Sequence, residues 1–299
     1  MTLSLPRLLR DAKARGEKLA MVSLYDAPSA ALACEASVDL ILVGDSLGNT
    51  ILGYESPLQV TMDDMLHHTE AVARGVQDAS RSKVPIIADL PFGSYTNVRS
   101  ATRNGADLVR AGAHALKLEG AGPSSVRAVH ALTEMGVPVV GHLGFTPQSS
   151  LLLDGVVQGK TEAAASRLLE GAQQLEDAGC CSVVLEVVPS EVARRVTAEL
   201  SASTIGIGAG PHCDGQVLVW HDLVGLTTGK LFRFVKRYAE ADTLLKEATK
   251  GFVGEVHSEA FPEANHDWTM DEAELQKWME AKDHEAAERE EKRQGLDGL

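Results

Sequence analysis

Ala115-Leu-Lys117-Leu-Glu119 carries a cation and an anion two positions apart inside an otherwise apolar run. Side chains along a strand alternate between its two faces, so Lys117 and Glu119 share one face and Leu116 and Leu118 take the other. Segments of the same form stand on either side. Ile41-Leu-Val-Gly-Asp45-Ser46 and Ile86-Ile-Ala-Asp89 end in carboxylates, Val139-Val-Gly-His142 ends in an imidazole, and Val183-Val-Leu-Glu186 ends in another carboxylate. Each is a short apolar run closed by a group able to do chemistry.

Working outward, such runs recur along the chain at Leu19–Leu24, Leu40–Val43, Pro85–Ala88, Ala115–Leu118, Pro138–Gly141, Ser182–Leu185 and Thr204–Ile207, with an eighth expected near Leu223–Leu226. They are short and rich in Val, Ile and Leu, as parallel strands buried on both faces are. Amphipathic stretches separate them. Thr61-Met-Asp-Asp64 has the form of a capping box ahead of a helix over Met65–Gly75. Asn97–Ala111, Ser124–Met135, Glu162–Ala178 and Ser190–Leu200 follow the helical period, and Gly75, Gly112, Gly136 and Gly179 stand where helices are expected to stop. About eight strand-helix units in succession predict a (β/α)8 barrel rather than a doubly wound open sheet.

Composition agrees. Only 4% of residues are aromatic against 44% hydrophobic, so the core rests on aliphatic side chains, which dominate barrel interiors. The formal net charge of −14 disfavours binding to phosphate backbones and argues against a nucleic-acid partner. No apolar run approaches the roughly 20 residues that cross a bilayer. The first residues, with Arg7 and Arg10, lack the apolar stretch of a signal peptide. Cys34, Cys180, Cys181 and Cys213 include no Cys-x-x-Cys pair. A structural zinc site is therefore not expected, Cys180 and Cys181 read as buried small hydrophobes, and a reducing cytoplasm is the expected compartment.

The expected division is a catalytic barrel over 1–261 and an acidic extension over 262–299. That extension holds 12 acidic and 5 basic side chains. Within it, 270–293 read as one charged helix with a thin apolar stripe of Met270, Leu275, Trp278 and Met279. Such a helix frays unless a partner surface covers the stripe.

Active sites of these barrels lie at the carboxyl ends of the strands. Five successive strands therefore aim Asp45, Asp89, Lys117, Glu119, His142 and Glu186 at one mouth. Four carboxylates that converge repel one another, and Lys117 offsets only part of the charge. A divalent cation is the natural complement, and all-oxygen ligands favour a hard ion such as Mg²⁺. His142 is expected to touch substrate or to orient a group that does. His67 and His68 lie on a helix and read as structural, with His68 able to face the mouth. Gly206-Ile-Gly208-Ala-Gly210 follows the seventh strand, where barrels often bind phosphate or bring backbone close to a flat ligand.

Longer motifs carry a resemblance. Leu24-Tyr-Asp26, Leu42-Val-Gly-Asp-Ser-Leu-Gly48, Ala88-Asp-Leu-Pro-Phe-Gly-Ser-Tyr95, Leu116-Lys-Leu-Glu-Gly120, Gly141-His-Leu-Gly-Phe-Thr-Pro-Gln148, Val184-Leu-Glu-Val-Val-Pro189, Ile205-Gly-Ile-Gly-Ala-Gly210 and Cys213-Asp-Gly-Gln216 are similar to the motifs of the ketopantoate hydroxymethyltransferase family. The resemblance runs from about Leu5 to Phe261-Pro262. It implies a barrel of the phosphoenolpyruvate/pyruvate type and transfer of a one-carbon unit from 5,10-methylenetetrahydrofolate to 3-methyl-2-oxobutanoate, giving 2-dehydropantoate. It also implies Mg²⁺ dependence, a cytoplasmic location and a homo-oligomer, a decamer in this family.

Carried over, Asp45, Asp89 and Glu119 would be metal-site carboxylates. Asp45, Ser46, Asp89 and Lys117 would contact the keto acid, and Glu186 would accept the proton. The chain departs from the family at Leu153-Asp-Gly-Val-Val-Gln-Gly159, where the family's loop carries a Tyr and a Lys. Two other readings compete. A phosphoenolpyruvate-mutase or isocitrate-lyase-like enzyme would share barrel and metal, but the Lys-Lys-Cys-Gly-His segment of the lyases is missing here. Against a non-catalytic scaffold stand the intact Asp45, Asp89, Lys117, Glu119 and Glu186, and in its favour the altered loop at 153–159.

Overall fold

The computed structural model describes residues 4–79, 84–227 and 231–296. Eight parallel strands close into a barrel in sequence order, β1 (Leu19–Ser23), β2 (Leu40–Val43), β3 (Ile86–Asp89), β4 (Ala115–Glu119), β5 (Val139–Gly144), β6 (Ser182–Glu186), β7 (Ser203–Ile207) and β8 (Gly215–Val219), with β8 paired back onto β1. The first seven fall on the expected runs. The eighth does not: Gly215-Gln-Val-Leu-Val219 forms it, and Leu223 and Val224 belong to a short helix that follows. Val217 and Val219 are β-branched and suit a strand. Gln216 and the glycine beside it interrupt the apolar run, so the strand is hard to see by hydropathy alone.

The helices are α1 (Leu5–Arg15), α2 (Ala27–Glu35), α3 (Leu47–Thr50), α4 (Met62–Asp78), α5 (Val98–Arg110), α6 (Pro123–Glu134), α7 (Glu162–Asp177), α8 (Ser190–Glu199), α9 (Trp220–Val224), α10 (Ala241–His257) and α11 (Glu272–Leu296). The capping box at α4 forms as expected. Thr61 Oγ1 accepts from Asp64 N, and Asp64 Oδ2 accepts from Thr61 N at 2.8 Å. Gly112, Gly136 and Gly179 follow their helices with φ of 113°, 89° and 103°, a region open to glycine at little cost. Gly75 plays a different part, because α4 runs on past it to Asp78. A Cβ there would collide with the backbone of Ala27, so this glycine lets α4 pack closely on α2.

Strand alternation sorts the core into two layers. Val22, Ile41, Val43, Ile86, Ala88, Leu116, Leu118, Val183 and Leu185 point outward and pack beneath the helices. Met21, Leu40, Leu42, Ile87, Ala115, Val140, Val184, Ile205 and Val217 form a second cluster inside the barrel. Leu5, Leu9 and Ala12 of α1 join that inner cluster, so α1 closes the amino end. Ser203 Oγ donates to Leu9 O at 3.0 Å, and Lys13 Nζ reaches Asp214 Oδ2 at 3.1 Å.

The chain divides into two compact units, 1–242 and 243–299. The first is the barrel. In the second, α10 and α11 flank a short 3-10 turn over Ala264–His266, with Phe261 against Phe252 and His266 at ring separations of 5.6 and 5.2 Å. No described residue of this unit is buried in the single chain. Among the described residues, no helix is long and apolar enough to cross a membrane.

Candidate active site

The inward positions change character toward the carboxyl ends of the strands. On β3 Ile87 gives way to Asp89, on β4 Ala115 to Lys117 and Glu119, on β5 Val140 to His142, and on β6 Val184 to Glu186. These groups, with Ser23, Asp45 and Ser46, line one cavity of about 610 Å³. All six charged or imidazole residues expected at the mouth are therefore together. Asp45, Asp89, Lys117, Glu119 and His142 are each no more than 5% exposed, whereas the Glu186 side chain keeps 19% of its surface.

Buried charges persist only when paired. Lys117 Nζ lies 2.6 Å from Asp89 Oδ1, and Asp89 Oδ2 accepts from the backbone N of Asp45 at 3.0 Å. Asp45 Oδ2 accepts from Gln148 Nε2 at 2.8 Å. Glu119 Oε2 accepts from Gln148 N at 2.9 Å. The imidazole of His142 stands between two carboxylates, with Nδ1 3.2 Å from Glu119 Oε1 and Nε2 3.2 Å from Glu186 Oε2. Ser46 shares a 2.7 Å hydrogen bond with Tyr25 Oη and opens α3 directly after Asp45.

Charge balance follows from this crowding. Burial and the Lys117 charge press the His142 pKa down, but Glu119 and Glu186 outweigh them and carry it to about 9. Burial, then the Asp89 and Glu119 carboxylates, pushes Asp45 up to about 8 against the pull of Lys117 and Gln148. Burial also opposes the Lys117 charge, yet Asp89, Asp45 and Glu119 raise its pKa above the ordinary lysine value.

The donors fit a hard divalent cation. Asp89 Oδ1 faces the Lys117 ammonium and Glu119 Oε1 the His142 imidazole, yet Asp89 and Glu119 still add to the effect of burial in pushing Asp45 up, a like-charge repulsion that a cation would relieve. Among the described residues no three His, Cys, Asp or Glu side chains form a ready-made cage. Oxygen donors of this kind suit an ion which takes one or two carboxylates and fills its other positions with water and substrate oxygens, as Mg²⁺ does.

The chain matches the ketopantoate hydroxymethyltransferase family profile over residues 5–264. It belongs to that family. A 3-methyl-2-oxobutanoate hydroxymethyltransferase of Syntrophus aciditrophicus is 49% identical over 262 residues, 87% of this chain and 94% of the relative. The enzyme of the same name from Thermoanaerobacter sp. (strain X514) is 45% identical over 269 residues, 89% of this chain and 96% of the relative.

Similar solved structures include 2,3-dimethylmalate lyase, a PEP mutase/isocitrate lyase superfamily member, at a TM-score of 0.56 and 18% identity, covering 97% of this chain and 99% of that one. Phosphonopyruvate hydrolase in complex with oxalate and Mg²⁺ has a TM-score of 0.56 and 13% identity, covering 96% and 98%. At such identities they establish a shared barrel and nothing of the chemistry. The family membership sets the lyase-like reading aside.

Several features of this family member escape a reading by strand ends. Gln148 and Tyr95 stand in motifs quoted above, yet neither closes a strand. Tyr25 is fully buried and orients Ser46. Val187, directly after Glu186, has φ 49°, a region that β-branched residues rarely adopt and that costs about 1–3 kcal/mol. Its N donates to Ile207 O at 2.8 Å and its O accepts from Gln158 N at 3.1 Å, which holds the turn beneath Glu186. His68 binds the carbonyl of Tyr25 at 2.7 Å and lies outside the cavity lining, so its role is structural. The glycine-rich segment after β7 lies under Phe234, whose ring sits 2.7 Å from where a Cβ on Gly208 would be.

Proposed function

We propose that this chain transfers a hydroxymethyl group from 5,10-methylenetetrahydrofolate to 3-methyl-2-oxobutanoate, giving 2-dehydropantoate for pantothenate biosynthesis. One observation carries the reading: Asp45, Asp89, Lys117, Glu119, His142 and Glu186 share a single cavity in a chain whose near full-length relatives bear that enzyme's name.

The keto acid binds with its oxygens toward Asp45, Ser46, Asp89 and Lys117. Asp45 and Asp89, with Glu119 beside them, would hold Mg²⁺, which supplies positive charge next to the substrate's carboxylate and keto oxygens. Lys117 adds a second fixed charge at that end. Leu42, Val184, Ile207 and Val217 line the same cavity and offer apolar contact to the branched end of the substrate. Glu186, the most exposed carboxylate of the group, takes the proton from carbon 3. His142 bridges Glu186 to Glu119 and orients both. Water adds to the methylene carbon of the folate and both of its C–N bonds break, so tetrahydrofolate leaves with the two water protons and the carbon is released as formaldehyde. Carbon 3 then adds to that carbon, and the new alkoxide takes the proton that Glu186 holds.

No nucleophilic side chain is needed. Burial raises the Cys180 thiol above the ordinary range and pushes Cys181 up to about 12, so neither offers a thiolate. A cytoplasmic homo-oligomer, with the decamer expected from the family, completes the proposal. The test is release of tetrahydrofolate by purified protein given both substrates and Mg²⁺, with 2-dehydropantoate identified by mass. Turnover that needs all three components is the expected result. A folded, metal-loaded protein that forms no product would overturn the proposal and favour a non-catalytic scaffold.

A further inference from the structure

Gln148 makes four hydrogen bonds beside the carboxylates of the site. Its Nε2 donates to Asp45 Oδ2 at 2.8 Å and to Leu90 O at 3.0 Å, its backbone N donates to Glu119 Oε2 at 2.9 Å, and its Oε1 accepts from Tyr95 Oη at 2.6 Å. Tyr95 Oη in turn accepts from the backbone N of Glu119 at 3.3 Å. Gln148 is 5% exposed and sits in the 3-10 turn Pro147–Leu152 after β5. Asp45 follows β2 and Glu119 ends β4, so this one residue joins carboxylates from two non-adjacent strands.

The amide cannot be reversed without loss. Tyr95 Oη spends its proton on Oε1, which turns Nε2 toward Asp45 and the Leu90 carbonyl. With the amide reversed, Oε1 would face two acceptors and Nε2 would face a hydroxyl already accepting from Glu119 N. Every polar atom of the Gln148 side chain is therefore used, and its geometry is set from both ends.

We infer that Gln148, locked by Tyr95, is a positioning residue that fixes the separation and orientation of Asp45 and Glu119 and thereby sets the affinity of the site for a divalent cation. The inference rests on the metal-site reading given above. Ion binding needs carboxylate oxygens placed before the ion arrives. Groups that orient metal ligands are worth roughly 10–100-fold in metal affinity. Gln148 also leaves one oxygen of each carboxylate, Asp45 Oδ1 and Glu119 Oε1, outside its own bonds.

The test is Mn²⁺ binding to the full chain without substrates, read as free Mn²⁺ by electron paramagnetic resonance, on wild type, Gln148→Leu and Tyr95→Phe. Gln148→Leu removes the side-chain bonds at similar volume and is expected to weaken Mn²⁺ about 10–100-fold. Tyr95→Phe removes only the hydroxyl that orients the amide, and a smaller loss of about threefold to tenfold is expected. Circular dichroism and melting temperature identify a variant that has failed to fold, in which case Tyr95→Phe decides alone. Folded variants that bind Mn²⁺ as tightly as wild type overturn the inference and leave the proposed function standing. A wild type that binds no Mn²⁺ removes the metal-site reading and this inference with it.

Discussion

The two ends of the barrel share one set of strands and differ by a single layer of side chains. At the amino end the inward positions are Leu19, Leu40, Ala115 and their neighbours, sealed by Leu5, Leu9 and Ala12 of α1. One or two inward steps further along, strands β3 to β6 present Asp89, Lys117, Glu119, His142 and Glu186. The lower layer is apolar and closed, so its contribution is burial. The upper layer is charged and opens to a cavity, so its contribution is chemistry. The apolar layer also matters to the charged one. It keeps water from beneath the carboxylates, and this desolvation helps drive Asp45 to about 8 and makes each pairing count.

This comparison can be broken by changes that separate the two layers. The largest effect is expected at the top. Glu186→Gln keeps size but cannot accept a proton, so exchange of the carbon 3 proton with deuterated water should slow by roughly 10²–10⁴-fold. Melting temperature and keto acid binding should stay near wild type. Exchange at the wild-type rate would move the proton-accepting role to another group, with His142 the next candidate.

A change at the bottom should do the reverse. Leu9→Ala empties a fully packed position beneath the barrel and is expected to cost about 2–5 kcal/mol in denaturant unfolding. Activity per folded molecule should stay within about twofold, since surface and core changes away from a site act on stability rather than on bound groups. A stable Leu9→Ala variant, or a folded but inactive one, would mean that the layers are not separable.

The smallest effect is expected from the acidic extension. We propose that 262–299 is dispensable for the chemistry, and a chain ending at Asn265 should keep its turnover per site. Met270, Trp278 and Met279 are exposed in the single chain, and sedimentation of the truncated chain beside the full one reads whether the extension supports assembly. Loss of turnover with assembly intact would place part of this segment at the active site.

Much of this was legible in the chain itself. Seven strands were visible because a parallel strand buried on both faces must be apolar almost throughout. The six charged strand ends were visible because a charge that interrupts such a run has to face either solvent or a site. Strand β8 was not, since Gln216 and Gly215 break its hydropathy, and its membership is decided by pairing with both β1 and β7. The role of Gly75 was hidden for a related reason: a glycine that permits close approach of α2 reads along the chain like one that ends a helix.

Local periodicity and the order of its breaks thus determined the barrel and nominated Asp45, Asp89, Lys117, Glu119, His142 and Glu186, because alternation along a strand is a property of the backbone alone. Only the closed barrel decided which of these touch. Lys117 meets Asp89 across adjacent strands, His142 is caught between Glu119 and Glu186, and Gln148 ties Asp45 to Glu119 from a loop 103 residues away from Asp45 in sequence. Hydrogen bonds and ion pairs act over about 3 Å, and such distances between remote segments are set by how the strands stagger and close, which no local stretch of sequence encodes.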